Sequence, residues 1–203
     1  MYDIERGRHN EILPRFWQSD TSVLRNSWGH VASPDYKTVP ELIGDLVDIV
    51  SKNGALLLNI GPRADGTIPE QDAEMLRSIG RWLAVNGEAI YASRPWKVFG
   101  EGPTEVASGS LTDAKKPDFT SQDIRFTSRG ETLYATFLAW PENGSVIITS
   151  LAEKTGLYPA SITHVELLGS NMPLSWVRDA AGLWVELPVE KPCEHAGVLK
   201  ITA

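Results

Sequence analysis

Residues 1–36 bring together the side-chain types that a site for a polar ligand requires. Carboxylic acids stand at Glu5, Glu11 and Asp20, and tryptophans at Trp17 and Trp28, with arginines and two histidines nearby. Carboxyl groups at such a site bond hydroxyl groups or transfer protons, and the apolar face of a sugar ring stacks on an indole. No helical or alternating pattern persists here, so we expect long loops with one short strand near residues 16–23. The alternative is a polar surface loop that only links other elements.

The composition excludes several classes of partner and of site. The 203 residues suffice for one large or two small domains, and they carry 19 basic and 26 acidic side chains, a formal net charge of -7. Without a basic stripe or tail, we expect neither a nucleic acid nor a membrane as partner. The single cysteine, Cys193, excludes an intrachain disulfide and a multi-cysteine metal site. Residues 1–9 lack the apolar core of a signal peptide, so they give no indication of the compartment, which stays undetermined.

The middle of the N-terminal half predicts a helix, a buried strand and a second helix. Apolar residues at helical spacing indicate a helix over 39–52, and the short apolar run 55–60 is typical of a strand buried on both faces of a parallel sheet. Asn59 stands at the end of that strand, where α/β folds usually place their sites. Thr67 and Glu70 have capping-box spacing and predict the start of the second helix.

The C-terminal half predicts short antiparallel strands. A hairpin is expected over 123–138 with its turn at 128–131, and a second hairpin turn is expected at 180–182. Further strands are expected near 145–149, 162–168, 174–178, 183–187 and 196–201. Alternation at this spacing favours an antiparallel β-sandwich. We therefore expect a fold of the α/β plus all-β class, with a boundary near residue 95. One or two parallel strands cannot form a covered sheet, so residues 1–95 are interpreted as the end of a larger α/β domain and 96–203 as the β-sandwich.

Several segments, in order and spacing, resemble the retaining α-L-fucosidase family. They include the runs SWGH at 27–30, LLLNIGP at 56–62, DGTIP at 65–69, NGEAIY at 86–91 and, more weakly, WPENG at 140–144. The resemblance covers roughly residues 3–100. It implies the C-terminal fragment of a (β/α) barrel followed by a β-sandwich, and an enzyme that releases L-fucose from fucosylated oligosaccharides or glycoconjugates.

The resemblance also implies which part of the catalytic machinery the chain holds. A retaining glycosidase uses two carboxyl groups about 5 Å apart, one as nucleophile and one as acid and then base. The family's aspartate nucleophile belongs to an earlier barrel strand, so the expected contribution is only the acid/base. Glu5 is the first candidate, Glu11 the runner-up and Asp20 the third. The isolated chain is expected to be nearly inactive, and no cofactor or metal is expected.

The same resemblance suggests residues that contact the sugar. Trp17 and Trp28 are candidate walls of the site. Gln18 stands where many relatives have glutamate; it cannot transfer a proton at neutral pH but could bond a sugar hydroxyl. Asp20 and His30 complete the expected substrate contacts, His30 at a position where relatives often have tyrosine.

Two other hypotheses remain. The β-sandwich could be a non-catalytic carbohydrate-binding module with Trp140, Trp176 and Trp184 facing the sugar, or a purely structural domain, since most of the seven tryptophans are expected in the core. Alternatively, the chain could work with a separately encoded N-terminal barrel half, or as a homo-oligomer. With a separate N-terminal half, its apolar strand around Leu56–Leu58 and the apolar helix face would be the docking surface.

Overall fold

The structure is a computed structural model that describes residues 2–113 and 117–203. It contains two long helices and several short strands. In chain order they are β1 (Tyr2–Glu5), β2 (Trp17–Ser22), α1 (Val39–Ser51), β3 (Gly54–Asn59), α2 (Glu70–Asn86), β4 (Arg94–Glu101), β5 (Ile124–Arg129), β6 (Thr132–Phe137), β7 (Ser145–Ile148), β8 (His164–Leu167), β9 (Trp176–Arg178), β10 (Leu183–Glu186) and β11 (Gly197–Thr202). Helix α1 and strand β3 confirm the prediction for this region to within one or two residues.

The first three strands form a parallel sheet in the order β1-β2-β3. Trp17 projects to the face that α1 covers, where a Cβ added to Gly54 would meet its ring at 2.5 Å. Gly54 is therefore required for the close approach of ring and backbone. The other face is open, and Leu57 is 53% exposed there. The prediction that β3 is buried on both faces is thus wrong in this structure, because only one face is covered.

The two long helices differ in how their first turns are capped. Helix α1 begins with a capping box, in which the Thr38 side chain accepts from the Glu41 N–H and the Glu41 carboxylate accepts from the Thr38 N–H. The capping box predicted at Thr67 and Glu70 is wrong, since α2 begins at Glu70 after Pro69 and has no side-chain cap. Thr67 is instead part of the preceding turn, where its N–H and hydroxyl both donate to Asp65.

The second part of the chain folds into two antiparallel sheets with one core between them. The sheets have the orders β4-β5-β6-β11-β8 and β7-β10-β9. In both sheets every second side chain points inward. The shared cluster contains fully buried side chains such as Phe126, Phe137, Ile148 and Leu183. The predicted hairpins are confirmed: β5 pairs with β6, and β9 with β10.

Strands β1 and β4 were not predicted. Strand β1 has only four residues, and β4 contains Pro95 and a register shift between Pro95 and Gly100, so neither shows a clean alternation. The predicted boundary at residue 95 lies at the second residue of β4, which already pairs with β5.

A buried group of charges, which we call the Asp48 cluster, joins helix α1 to the five-stranded sheet. The Asp48 carboxylate accepts from Lys52 Nζ at 2.8 and 2.9 Å and from Arg125 Nε at 2.6 Å. Arg8 lies 3.8 Å from Asp48 and 2.9 Å from Asp45. Burial alone would raise the pKa of Asp48, but Lys52, Arg125 and Arg8 hold it below its ordinary value. The cluster fixes the two parts of the chain against each other.

Candidate active site at the carboxyl ends of the parallel strands

The site is built where the three parallel strands end. Glu5 is the last residue of β1, Asn59 is the last residue of β3, and the register places Glu5 beside Asp20 of β2. Carboxyl ends of parallel strands meet at one edge of a sheet, which is where α/β folds gather polar groups. Together with Trp28 and His30 of the following loop, these three residues are called the strand-end site.

The loop with Trp28 spans the strand-end site from β1 to β3. The Trp28 indole Nε1–H donates to Glu5 Oε1 at 3.3 Å, and the Trp28 carbonyl accepts from the Asn59 side-chain amide. The loop lies directly on Gly61, where an added Cβ would meet the backbone of Gly29 and His30 at 2.7 Å. Only glycine at position 61 therefore allows this approach. His30 itself is exposed.

Arg6 holds this loop in place. Its Nη1 donates to the Leu24 carbonyl at 3.0 Å, and its Nη2 to the Ser27 carbonyl at 2.9 Å. The guanidinium carbon lies 4.2 Å from the centre of the Trp28 ring, a cation–π contact. Arg6 is buried and has a φ of 45°, an uncommon value for a residue other than glycine. The turn that ends β1 thus directs Arg6 under the loop.

Residues 111–113, which are distant along the chain, fix the turn that ends β1. The backbone N–H groups of Leu111, Thr112 and Asp113 donate to the carbonyls of Glu5 and Arg6 at 2.9–3.0 Å. The buried Asp113 carboxylate accepts from Thr21 and Lys37 and lies 3.8 Å from Arg6. Sequence reasoning did not find Arg6 and Asp113 as positioning residues. The only signal was the position of Arg6 next to Glu5; nothing in the sequence connects residue 113 with residue 6.

The open face of the sheet carries a row of carboxyl groups. Asp3 and Gln18 are register partners, and so are Glu5 and Asp20, so all four project to the same face. Burial, reinforced by the charges of Asp3 and Glu5, raises the pKa of Asp20. Oδ1 of Asp20 is buried and has no hydrogen-bond partner among the described residues. Asp20 is therefore an acceptor without a donor, or a carboxyl that keeps its proton to higher pH.

The other predicted residues lie at different places. Gln18 Nε2 donates to Asp3 Oδ1 at 3.3 Å, two register pairs before Glu5 and Asp20. Glu11 is exposed, and Leu13, two residues later, bonds with Lys52 and Asn53 just before the start of β3. The structure thus places Glu11 toward the amino ends of the strands, away from the strand-end site.

The expectation that Trp17 forms a wall of the site needs correction. Its side chain is fully buried, and its indole N–H donates to the Lys52 carbonyl at 2.9 Å on the helix-covered face. Successive residues of a strand point to opposite faces, so Trp17 and Gln18 cannot both line the open face. Trp17 is a core residue. Trp28, by contrast, is 36% exposed at the strand-end site.

The described residues offer no obvious place for a metal ion. No group of three or more histidine, cysteine, aspartate or glutamate side chains in 2–113 and 117–203 has a metal-binding arrangement. Within the same described residues, no helix is long and apolar enough to cross a membrane.

Comparison with known proteins assigns both parts of the chain to the same family. Residues 1–88 match the family described as "Alpha-L-fucosidase", and residues 116–202 match "Alpha-L-fucosidase C-terminal domain". The tissue alpha-L-fucosidase of Mus musculus is 39% identical over 194 residues, which are 92% of this chain and 38% of that protein. The plasma alpha-L-fucosidase of Homo sapiens is 34% identical over 211 residues, 98% of this chain and 40% of that protein.

Solved structures give the same result. A structure titled "alpha-L-fucosidase" superposes with a TM-score of 0.78 at 25% identity, covering 99% of this chain and 42% of that one. The Thermotoga maritima alpha-fucosidase in complex with fucose superposes with a TM-score of 0.74 at 26% identity, covering 95% and 41%. The chain thus spans about 40% of the length of its relatives. From its sequence, its fold and the order of its two matched segments, this chain belongs to the α-L-fucosidase family and corresponds to a C-terminal portion of its members.

Proposed function

We propose that this chain forms the C-terminal part of a retaining α-L-fucosidase that releases L-fucose from fucosylated glycans. The observation that carries the proposal is the strand-end site, where Glu5, Asp20 and Trp28 converge at the carboxyl ends of parallel strands. The Thermotoga maritima relative was solved in complex with fucose. A carboxyl group beside an exposed indole suits such a sugar, which has hydroxyl groups and an apolar face.

In this proposal the parallel sheet and its helices, residues 1–95, are part of a (β/α) barrel. The exposed Leu57 and the edge positions of β1 and β3 support this, because further barrel strands would pair with both edges and the strands across the barrel would cover that face. The two antiparallel sheets, residues 96–203, are the β-sandwich. The two family matches end and begin on either side of this boundary, at 88 and 116.

Glu5 is proposed as the general acid and then base. Its carboxylate accepts from the Trp28 indole, and its Cα position pairs with that of Asp20. As acid it would protonate the glycosidic oxygen that leaves, and as base it would then deprotonate the water that attacks the glycosyl-enzyme. The attacking carboxylate, about 5 Å away, is assigned to protein outside residues 1–203. Glu11 remains the second candidate, although its position is less favourable.

The remaining residues of the strand-end site would bind the sugar. The unpartnered Oδ1 of Asp20 is an acceptor that a sugar hydroxyl could satisfy. Trp28 would pack against the apolar face of the ring, while Gln18 and His30 would bond hydroxyl groups from either side. Arg6 and Asp113 are proposed as positioning residues, because they act on Trp28 and Glu5 rather than on the sugar.

A chimaera tests this assignment. Residues 1–203 replace the matching segment of the mouse tissue enzyme, and hydrolysis of an aryl α-L-fucoside is measured. We expect an active chimaera that loses roughly 10²–10⁴-fold in rate in the Glu5→Gln variant. On a substrate with an activated leaving group, whose departure needs little acid assistance, azide should restore part of the loss, because it attacks the glycosyl-enzyme without a general base. The isolated chain is expected to show no turnover.

Glu11→Gln is the matched control for Glu5→Gln, since both remove one exposed carboxylate from the same segment. It should leave the rate unchanged. A large loss with Glu11→Gln and none with Glu5→Gln would assign the acid/base to Glu11 instead. A folded chimaera without activity, or an isolated chain whose turnover depends on Glu5, would contradict the proposal.

A further inference from the structure

The outer face of the antiparallel sheet β7-β10-β9 carries a row of apolar side chains beside a row of polar side chains. Alternation in β10 points Leu183 and Val185 inward and Trp184 and Glu186 outward. The register places Trp184 between Ile147 of β7 and Val177 of β9.

Glu186 belongs to the polar row. It lies between its register partner Ser145 and Ser175, whose carbonyl accepts from the Glu186 N–H. Glu186 and Ser175 are exposed and Ser145 is half-buried. The strands thus hold an indole, a carboxylate and two hydroxyl groups side by side on a rigid surface.

This face carries a shallow, open cleft. The cleft, of about 440 Å³, is lined by Trp184, Glu186, Ser145 and Ser175, and lies in the size range of ligand sites. Trp184 is 39% exposed, and its neighbours across the strands are Ile147 and Val177. The indole therefore presents part of its surface to the cleft.

A second cleft adjoins the first at Ser145. The neighbouring cleft has a volume of about 720 Å³ and shares Ser145 with the first. It is polar and aromatic as well, with Gln122, Trp140, Glu142 and Asn143 in its lining. We call the two together the β-domain groove.

We propose that the β-domain groove is a non-catalytic binding site for the glycan part of a substrate. The Trp184 ring stacks on the apolar face of a pyranose, Glu186 and Ser145 bond its hydroxyl groups, and further sugar units extend past Ser145 toward Asn143. An apolar protein partner fits less well, because it would bury the Glu186 carboxylate without a counter-charge. The site lies on a different sheet from the strand-end site, so it goes beyond the proposed function.

Binding to the 203-residue chain tests the inference. The probes are 2′-fucosyllactose and lactose, measured by ligand-observed NMR and by calorimetry, which do not depend on tryptophan fluorescence. We expect saturable binding at concentrations of about 1 mM, as is typical of a single stacked ring with a few hydrogen bonds. Trp184→Ala should weaken it roughly tenfold or more. Glu186→Gln, which keeps the shape but loses the charge, should weaken it roughly tenfold.

The Trp28→Ala variant distinguishes the β-domain groove from the strand-end site, because Trp28 is 36% exposed at the strand-end site and Trp184 is 39% exposed in the groove. It should retain binding in the β-domain groove. Binding lost in Trp28→Ala and kept in Trp184→Ala would overturn the inference while supporting the strand-end site. So would an absence of binding to both probes. Sedimentation identifies a third opposing result: if Trp184→Ala abolishes self-association but not sugar binding, the face is a contact between copies.

The two proposals fail separately. An inactive but folded chimaera would leave sugar binding through Trp184 untouched. Circular dichroism and thermal melting confirm that each variant is folded. If Trp184→Ala were unfolded, Glu186→Gln still decides the question, since its exposed side chain makes no core contact.

Discussion

Replacing Asp48 with asparagine should destabilise the whole chain more than any exposed charge substitution. Asp48 is fully buried and accepts hydrogen bonds from Lys52 and Arg125, while Arg8 lies 3.8 Å away. Asparagine keeps the size but removes the charge. Of the three buried cations around it, Arg8 would keep a carboxylate partner in Asp45, at 2.9 Å.

The magnitude follows from the cost of an uncompensated buried charge. Removing one partner of a buried ion pair costs about 3–5 kcal/mol. For a chain of this size each kcal/mol lowers Tm by about 2–4 °C. Asp48→Asn should therefore lower Tm by roughly 6–20 °C. Urea unfolding at neutral pH measures the same quantity as a shift in the midpoint without a change in slope.

The effect should depend on pH with a defined sign. The pKa of Asp48 is lowered in the folded state, so its contribution is complete above the ordinary carboxyl range and is lost as pH falls through the lowered value. The unfolding free energies of wild type and Asp48→Asn should converge below about pH 4. Below that pH the Asp48 carboxylate of the wild type becomes protonated, so the wild type loses the charge that the variant already lacks.

Glu74→Gln is the matched control. Glu74 also accepts from two arginines, Arg77 at 3.3 Å and Arg81 at 2.7 Å, but its side chain is 54% exposed. Solvent screens such a pair, and no measurable change in Tm is expected. If Asp48→Asn were as mild as Glu74→Gln, the reasoning that the Asp48 cluster holds α1 to the five-stranded sheet would be refuted.

Two further predictions concern packing and the loop of the strand-end site. Gly54→Ala should cost about 1–3 kcal/mol in urea unfolding, because its Cβ would lie 2.5 Å from the immobile Trp17 ring. Gly80→Ala, in helix α2 with open space around it, should instead stabilise by about 0.5–1 kcal/mol. Equal effects of both would contradict the packing of Trp17. Arg6→Lys should speed hydrogen exchange in residues 24–28, since an ammonium cannot bridge two carbonyls while stacking on Trp28. Unchanged exchange there would show that Arg6 does not hold the loop.

Local patterns determined much of this protein. The helical spacing of apolar residues fixed α1, and the apolar run after Asn53 fixed β3, because helix and strand periodicities are local properties. The turn residues around Gly130 and Gly182 marked the hairpins for the same reason. The order of short motifs also carried the family resemblance, which the comparisons confirmed over both matched segments.

Only the tertiary structure decided which side chains reach the strand-end site. Alternation shows that Trp17 and Gln18 point in opposite directions, but it does not say which face a helix covers. That depends on contacts such as those of Trp17 with Gly54 and Lys52, which lie 35 or more residues away. Asp113 reaches Thr21 across 92 residues, and no local pattern encodes such a contact. The local sequence specifies elements and turns, whereas the faces they bury are set by partners distant along the chain.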